Sequence, residues 1–202
     1  CKQKGTLLHT DAVQAVGHVP VDFKALGVDL LTLTAHKFGG PRGIGALLIR
    51  EGVKLKPLMT GGDHERGRRP GTENVAGAVG MAEALRLALS EKNPVATLRD
   101  RLLKGLQAAF PSLVLHGHPL HRLPQTLNVS VPGVDAVTAL VALDQVGLMA
   151  SGGSACHTGS ADPSPVLAAM GVPPELAKGA IRLSLGHTTT EAELARALEI
   201  LV

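Results

Sequence analysis

Two side chains near the start of the sequence have the chemistry of a cofactor site. Asp11 follows the strand-like run Thr6 to Thr10 (TLLHT), and Gln14 stands one helical turn further on. An aspartate where a strand gives way to a helix either faces a ligand crevice or simply caps the helix. Lys37 follows a second run, Val28 to Thr34 (VDLLTLT), and sits in the glycine-dense loop from His36 to Gly45 (HKFGGPRGIG). Glycines at that density bring a loop backbone close to something. Neither GxxxxGK[ST] nor a strand-borne GxGxxG surrounds the lysine, which disfavours simple nucleotide binding. An amine and a carboxylate at the ends of adjacent strands are what pyridoxal phosphate requires. The amine forms a Schiff base with the aldehyde, and the carboxylate keeps the pyridine nitrogen protonated so that the ring acts as an electron sink. The phosphate takes hydroxyls, imidazole and helix N-termini, for which Thr34, His36 and Thr72, placed at the opening of a long helix, are the candidates.

Two later residues carry further chemistry. Cys156 lies in a Ser/Gly-rich run, SGGSACHTGSADPSP, where a buried structural thiol would be out of place. In Ile181 to Leu185 (IRLSL) the apolar residues alternate with Arg182 and Ser184, so the guanidinium emerges on the face opposite the core and is free for bidentate carboxylate recognition. A surface arginine on an edge strand is the plain alternative. His116, His118 and His121 invite a metal reading, but they sit in a Pro/Gly loop with no nearby Cys or acid, so no metal site is expected. Arg66, Arg68 and Arg69 are expected to line a dimer interface near Thr72 rather than to bind RNA.

The elements that must position these groups follow from patterning. The chain has 202 residues, 45% hydrophobic and 18% charged, enough for one large domain or two small ones. Three Phe and no Tyr or Trp leave the core to Leu, Val, Ile and Ala, and remove the stacking surfaces of single-strand binders. A net charge of +3 is too small to drive a nucleic-acid interface, so direct nucleic-acid binding is not expected. No stretch free of Asp, Glu, Lys and Arg reaches eighteen residues, so a membrane helix is excluded, and two cysteines point to a reducing, cytoplasmic setting. The first half alternates strands and helices, with a third strand at Ala46 to Arg50 and a long helix from Val75 to Leu89 that Pro94 ends. This favours an α/β fold with a parallel sheet and a ligand site at the strand carboxyl ends. In the second half, Leu98 to Phe110 and Ala136 to Leu143 read as helices and Thr126 to Val131 as a strand, while Thr190 and Glu193 form a capping box. A boundary near Asn93 divides the chain into 1–92 and 93–202.

Five ordered segments, HTDAVQAVG, TAHKFGGPRGIGAL, GGDHERGRRPGTENV, SGGSACHTG and IRLSLGHTTTEAEL, resemble the C-terminal half of the cysteine desulfurases of the NifS/IscS branch. These are class V aminotransferase-like enzymes of fold-type I that use pyridoxal phosphate. The resemblance implies that residues 1–92 are the second half of the large cofactor-binding domain, and 93–202 the small C-terminal domain with the cysteine loop. It implies Lys37 as the Schiff-base lysine, Asp11 as the pyridinium partner and Gln14 as donor to the ring hydroxyl. Thr34 and His36 would bind the phosphate, and Thr72 would reach the phosphate of the neighbouring subunit in a homodimer. Cys156 would accept sulfur from L-cysteine, Arg182 would hold the substrate carboxylate, and the persulfide would pass to an iron-sulfur scaffold or a sulfur-relay protein for tRNA thiolation.

The family is about twice this length, and the resemblance places the imidazole that stacks on the cofactor in the half not present here. Other class V enzymes, a selenocysteine lyase or an aminotransferase, are the rival activities. A silent module for dimerisation or scaffold docking is the rival without catalysis. The cysteine of SGGSAC argues for desulfuration.

Overall fold

The run Leu30–Thr34 forms the central strand, β2, of a three-stranded sheet in the order β1-β2-β3. In the computed structural model, residues 1–90, 94–152 and 164–202 are described, and the chain divides into two compact units, Cys1–Lys92 and Asn93–Val202. In the first unit β1 (His9–Asp11) runs parallel to β2, pairing His9 with Leu30 and Asp11 with Thr32. The third strand, β3 (Gly45–Ile49), runs antiparallel to β2, with Thr34 opposite Gly45 and Leu30 opposite Ile49.

The sheet is therefore mixed, where the strand-helix alternation suggested a wholly parallel one. The connection explains the difference. Between β2 and β3 the only regular element is a 3-10 turn, Ala35–Phe38. A parallel return needs a crossover of a dozen or more residues, and this link is shorter.

A short helix α1 (Phe23–Leu26) precedes β2, and Asp22 caps it by accepting hydrogen bonds from the Lys24 and Ala25 amides. After β3 come a single turn, α2 (His64–Gly67), and the long helix α3 (Val75–Ser90). Ala84, Leu85 and Ala88 of α3 close the unit's core over Ala12, Val16, Val28, Leu31, Ala35 and Phe38. Of the three phenylalanines only Phe38 is fully buried, so the aliphatic core read from composition is what forms.

One buried charge anchors this unit. Asp29 accepts from the Leu8 amide at 2.7 Å and from Arg50 Nε at 2.6 Å. Those bonds, the Leu8 amide first and then the Arg50 guanidinium, hold its carboxyl below the usual aspartate value.

The second unit opens with α4 (Val95–Ala109), whose buried Val95, Leu98, Leu102 and Leu106 form one stripe at helical spacing. Pro94 is the N-cap of this helix, so it begins α4 rather than ending α3. Four antiparallel strands follow in the order β4-β5-β7-β6: β4 (Val114–Leu115), β5 (Thr126–Ser130), β6 (Ser151–Gly152) and β7 (Ala180–Ser184). Between them lie α5 (Ala136–Gln145), α6 (Pro165–Ala169) and α7 (Pro174–Lys178), and α8 (Glu191–Leu201) ends the unit.

Leu127 and Val129 of β5, Leu183 of β7, and Leu185 meet the α4 stripe and Leu194 of α8 in one core. The Thr190–Glu193 capping box forms as the sequence indicates, each side chain accepting from the other residue's amide. Among the described residues no helix is long and apolar enough to cross a membrane.

Candidate active site

The parallel pairing of β1 and β2 sets both strands' carboxyl ends at one edge of the sheet. Asp11 ends β1 opposite Thr32, and the Ala12 amide continues the ladder by donating to the Thr32 carbonyl at 3.0 Å. Two residues past Thr32, β2 ends at Thr34, and the 3-10 turn carrying His36 and Lys37 begins. Asp11, His36 and Lys37 are all exposed at this edge, while Ala35 and Phe38 of the same turn point into the core. The alternation of buried and exposed residues in the turn fixes which way the lysine faces.

Beyond Asp11 the chain makes successive turns rather than the helix the sequence suggested. The Ala15 and Val16 amides donate to the Ala12 carbonyl, and the His18 and Val19 amides to that of Ala15. Asp11 Oδ1 accepts from the Val13 amide at 2.9 Å, which fixes the carboxylate. Gln14 lies exposed in these turns.

The same turns supply a residue that sequence reasoning missed. His18 Nε2 lies 3.0 Å from the Lys37 carbonyl oxygen, and because a carbonyl only accepts, Nε2 carries the proton. Its place seven residues after Asp11, in Gly-His, is the only signal the sequence offers. Among the described residues the Lys37 amine forms no hydrogen bond or ion pair, so it is available for a covalent partner.

Thr34 and His36 are joined. Thr34 Oγ1 donates to the Ile44 carbonyl at 3.2 Å and lies 3.1 Å from His36 Nδ1, so the hydroxyl accepts from the ring and the distal Nε2 faces outward. Thr34 thus commits its single hydroxyl proton to its own loop. As a phosphate donor it would first have to rotate away from Ile44, and His36, whose Nδ1 proton goes to Thr34, donates from Nε2 only when the ring carries both protons.

The glycine-dense loop approaches the molecule's own helix. A Cβ on Gly40 would stand 3.2 Å from Ala84 Cβ and 2.8 Å from Ala35 Cβ, and one on Gly80 would stand 2.7 Å from Pro41 Cγ. What the loop is brought close to is α3, and that contact holds Lys37 in place.

Thr72 is exposed in the loop before α3 and does not open the helix. That role falls to Asn74, whose Oδ1 accepts from the Gly77 amide at 2.9 Å while its carbonyl accepts from Ala78. Asparagine outranks threonine as an N-cap and stands directly before the apolar period, a signal the sequence did contain. In the neighbouring turn Glu65 and Arg66 take left-handed backbone angles, φ 50° and 58°, and Arg66, Arg68 and Arg69 carry no ion pair among the described residues.

In the second unit Arg182 lies on β7 between Asn128 of β5 and Ser151 of β6, and its Nε donates to Ser151 Oγ at 3.1 Å. The alternation is as read: Ile181, Leu183 and Leu185 join the core, and Arg182 takes the other face. Cys156 lies outside the described residues.

The histidine run does not converge on a metal. Among the described residues no group of metal-binding side chains forms. His116 is buried with Nε2 2.7 Å from Ser130 Oγ, which in turn donates to the Leu176 carbonyl at 2.7 Å. Burial lowers the His116 pKa. His118 Nδ1 accepts from the Leu120 and His121 amides, and its ring stacks against that of His121 at 4.6 Å.

The donor set of the first unit fits pyridoxal phosphate. Among the described residues an unpartnered amine, an anchored carboxylate and an imidazole share one sheet edge with no metal-type cluster beside them, and the sequence there carries no nucleotide-type glycine loop.

Comparison with known proteins gives the same direction. The chain is 46% identical over 207 residues to the cysteine desulfurase IscS of Clostridium botulinum (strain Hall), covering 100% of this chain and 52% of that protein. It is 48% identical over 203 residues to the cysteine desulfurase IscS of Methanosarcina thermophila, covering 98% and 50%. Among solved structures, a NifS-like protein matches with a TM-score of 0.85 at 38% identity, over 99% of this chain and 52% of that one. The NifS-like protein of Rickettsia africae ESF-5 matches with a TM-score of 0.87 at 33% identity, over 98% and 53%. The chain thus spans about half the length of these relatives, and its fold is that of the NifS-like proteins. Since the aminotransferase class-V model matches residues 1–197, nearly the whole sequence, the chain belongs to the aminotransferase class-V family.

Proposed function

We propose that this chain is part of a pyridoxal-phosphate-dependent cysteine desulfurase, converting L-cysteine to L-alanine and passing the sulfur to Cys156. The observation that carries the reading is the shared sheet edge: Asp11 ends β1, Lys37, its amine unpartnered among the described residues, lies in the turn just past the parallel β2, and His18 ties the two turns together. Relatives at 46–48% identity that carry the name cysteine desulfurase support it. In this reading residues 1–92 belong to the large cofactor-binding domain, and 93–202 form the small domain.

When bound, pyridoxal phosphate supplies an electron sink beside the substrate's α-carbon. The work of the chain is to hold and feed it. Lys37 Nζ would hold the cofactor through its aldehyde carbon and would take the substrate's α-proton. Asp11, with Oδ1 fixed on the Val13 amide, keeps a proton on the ring nitrogen. Gln14 serves the ring hydroxyl, and His36, with Thr34, the phosphate. Thr72 serves the phosphate of the second subunit in a homodimer, with the Arg66, Arg68 and Arg69 run near that interface.

Arg182 receives the substrate carboxylate through its guanidinium fork. The Cys156 thiolate attacks the substrate's sulfur: an S–S bond forms, the Cβ–S bond breaks, and its electron pair stays with the three-carbon fragment, which takes up one proton at Cβ and regains one at Cα from Lys37 to become alanine. The enzyme persulfide then passes to an iron-sulfur scaffold or sulfur-relay protein in the cytoplasm.

The test is a product assay on the purified, cofactor-loaded protein given L-cysteine and a thiol reductant. Equal amounts of alanine and sulfide are expected. A keto acid in place of alanine would identify an aminotransferase, and no product a silent module.

A further inference from the structure

Arg182 does not stand alone on its face of the sheet. The antiparallel register sets Asn128 of β5 directly opposite it on one side and Ser151 of β6 on the other. Directly opposed residues share a face, and the flanking pairs, Leu127 with Leu183 and Val129 with Ile181, point into the core. Asn128, Arg182 and Ser151 therefore form a polar row across three strands on the face turned from that core. The two neighbours differ in state. Ser151 Oγ accepts from Arg182 Nε at 3.1 Å, whereas Asn128 Oδ1 is buried and has no hydrogen-bond partner among the described residues.

A buried carboxamide oxygen without a donor is costly and calls for one. Guanidinium arithmetic supplies it. Of the five N–H groups, Nε is held by Ser151, and a carboxylate received end-on takes one from each Nη. Of the two that remain, one is directed sideways along the row. The unpartnered acceptor nearest in register is Asn128 Oδ1.

Resting on the functional reading above, we propose that Asn128 is a positioning residue for Arg182: it receives the sideways Nη–H when a substrate carboxylate engages the fork. With Ser151 it fixes the guanidinium plane from both sides. The row thereby makes the site selective for amino acids over amines that lack a carboxylate.

The test compares binding of L-alanine, which bears the carboxylate, and ethylamine, which does not, by calorimetry on the cofactor-loaded protein and its Asn128→Leu and Asn128→Asp variants. Cysteine turnover is followed in parallel. Leu removes the acceptor at similar volume, and alanine affinity is expected to fall about tenfold with ethylamine unchanged. The cysteine KM should rise by a similar factor while kcat stays within about twofold. Asp supplies an acceptor whose charge competes for the fork, so alanine affinity should fall further, again without change for ethylamine.

Because Asp is nearly the size of Asn, this second variant reads the role even where Leu does not fold. Equal losses for both ligands, or no loss for either, would overturn the role of Asn128. The functional reading fails separately, by absence of alanine from cysteine in the unmodified protein.

Discussion

His18 Nε2 stands 3.0 Å from the carbonyl oxygen of Lys37, tying the turn after Asp11 to the turn that carries the lysine. The bond runs from a side chain to the backbone of the lysine's own turn, so it acts on the position of the lysine. Replacing His18 by Leu removes the donor. The expected result is a stability loss of about 1 kcal/mol, read from the urea midpoint, with pyridoxal phosphate affinity several-fold weaker by equilibrium titration.

Packing beneath the lysine gives a second test. Gly17 has φ +83°, and a Cβ there would lie 2.6 Å from Phe38 Cβ, next to Lys37. Gly133 has φ +84° with open space around it. Gly133→Ala should lose only the left-handed strain, about 1 kcal/mol. Gly17→Ala adds overpacking against Phe38, a further loss of about 1–3 kcal/mol. Comparing the two denaturation curves isolates the clash.

Acid sensitivity has two separable sources. His116 is buried with its pKa lowered by desolvation, so the unfolded chain binds this proton first. Its contribution to stability is full above the unfolded value of about 6.5 and falls as pH drops through it towards the lower folded value. Asp29 has the opposite origin and the same sign. The Leu8 amide, then Arg50, favour its charged form, so its contribution is present above the unfolded value and lost as pH falls through the depressed folded one. Thermal melts from pH 7 to pH 3 should show both limbs, with His116→Gln flattening the upper and Asp29→Asn the lower.

The sulfur-transfer step separates from cofactor binding. Cys156→Ala is expected to leave the cofactor's visible absorbance intact while abolishing alanine release. Normal turnover in that variant would remove Cys156 from the chemistry.

Local pattern carried β2, β3, β5 and β7, the long helices and the Thr190–Glu193 capping box, because each is decided by spacing within a few residues, but it left the two-residue strands β4 and β6 unread. It also singled out the lysine, by its glycine-dense loop, and the aspartate, by its place after a strand, as candidates. What it missed depends on pairing between distant segments. The antiparallel course of β3 follows from a loop too short for a crossover. The opposition of Asn128 and Arg182 exists only once β5 and β7 are in register. Asn74 was passed over for Thr72, although its cap on Gly77 is a local feature. The short helices α6 and α7 fall within one or two turns and leave too little periodicity to read.

Chemical trapping tests the bond between Lys37 Nζ and pyridoxal phosphate directly. The intact protein loaded with pyridoxal phosphate is reduced with borohydride, digested and mapped by mass spectrometry. The account requires a pyridoxyl mass on Lys37 and its loss in Lys37→Ala; a label on another lysine, or none, would contradict it.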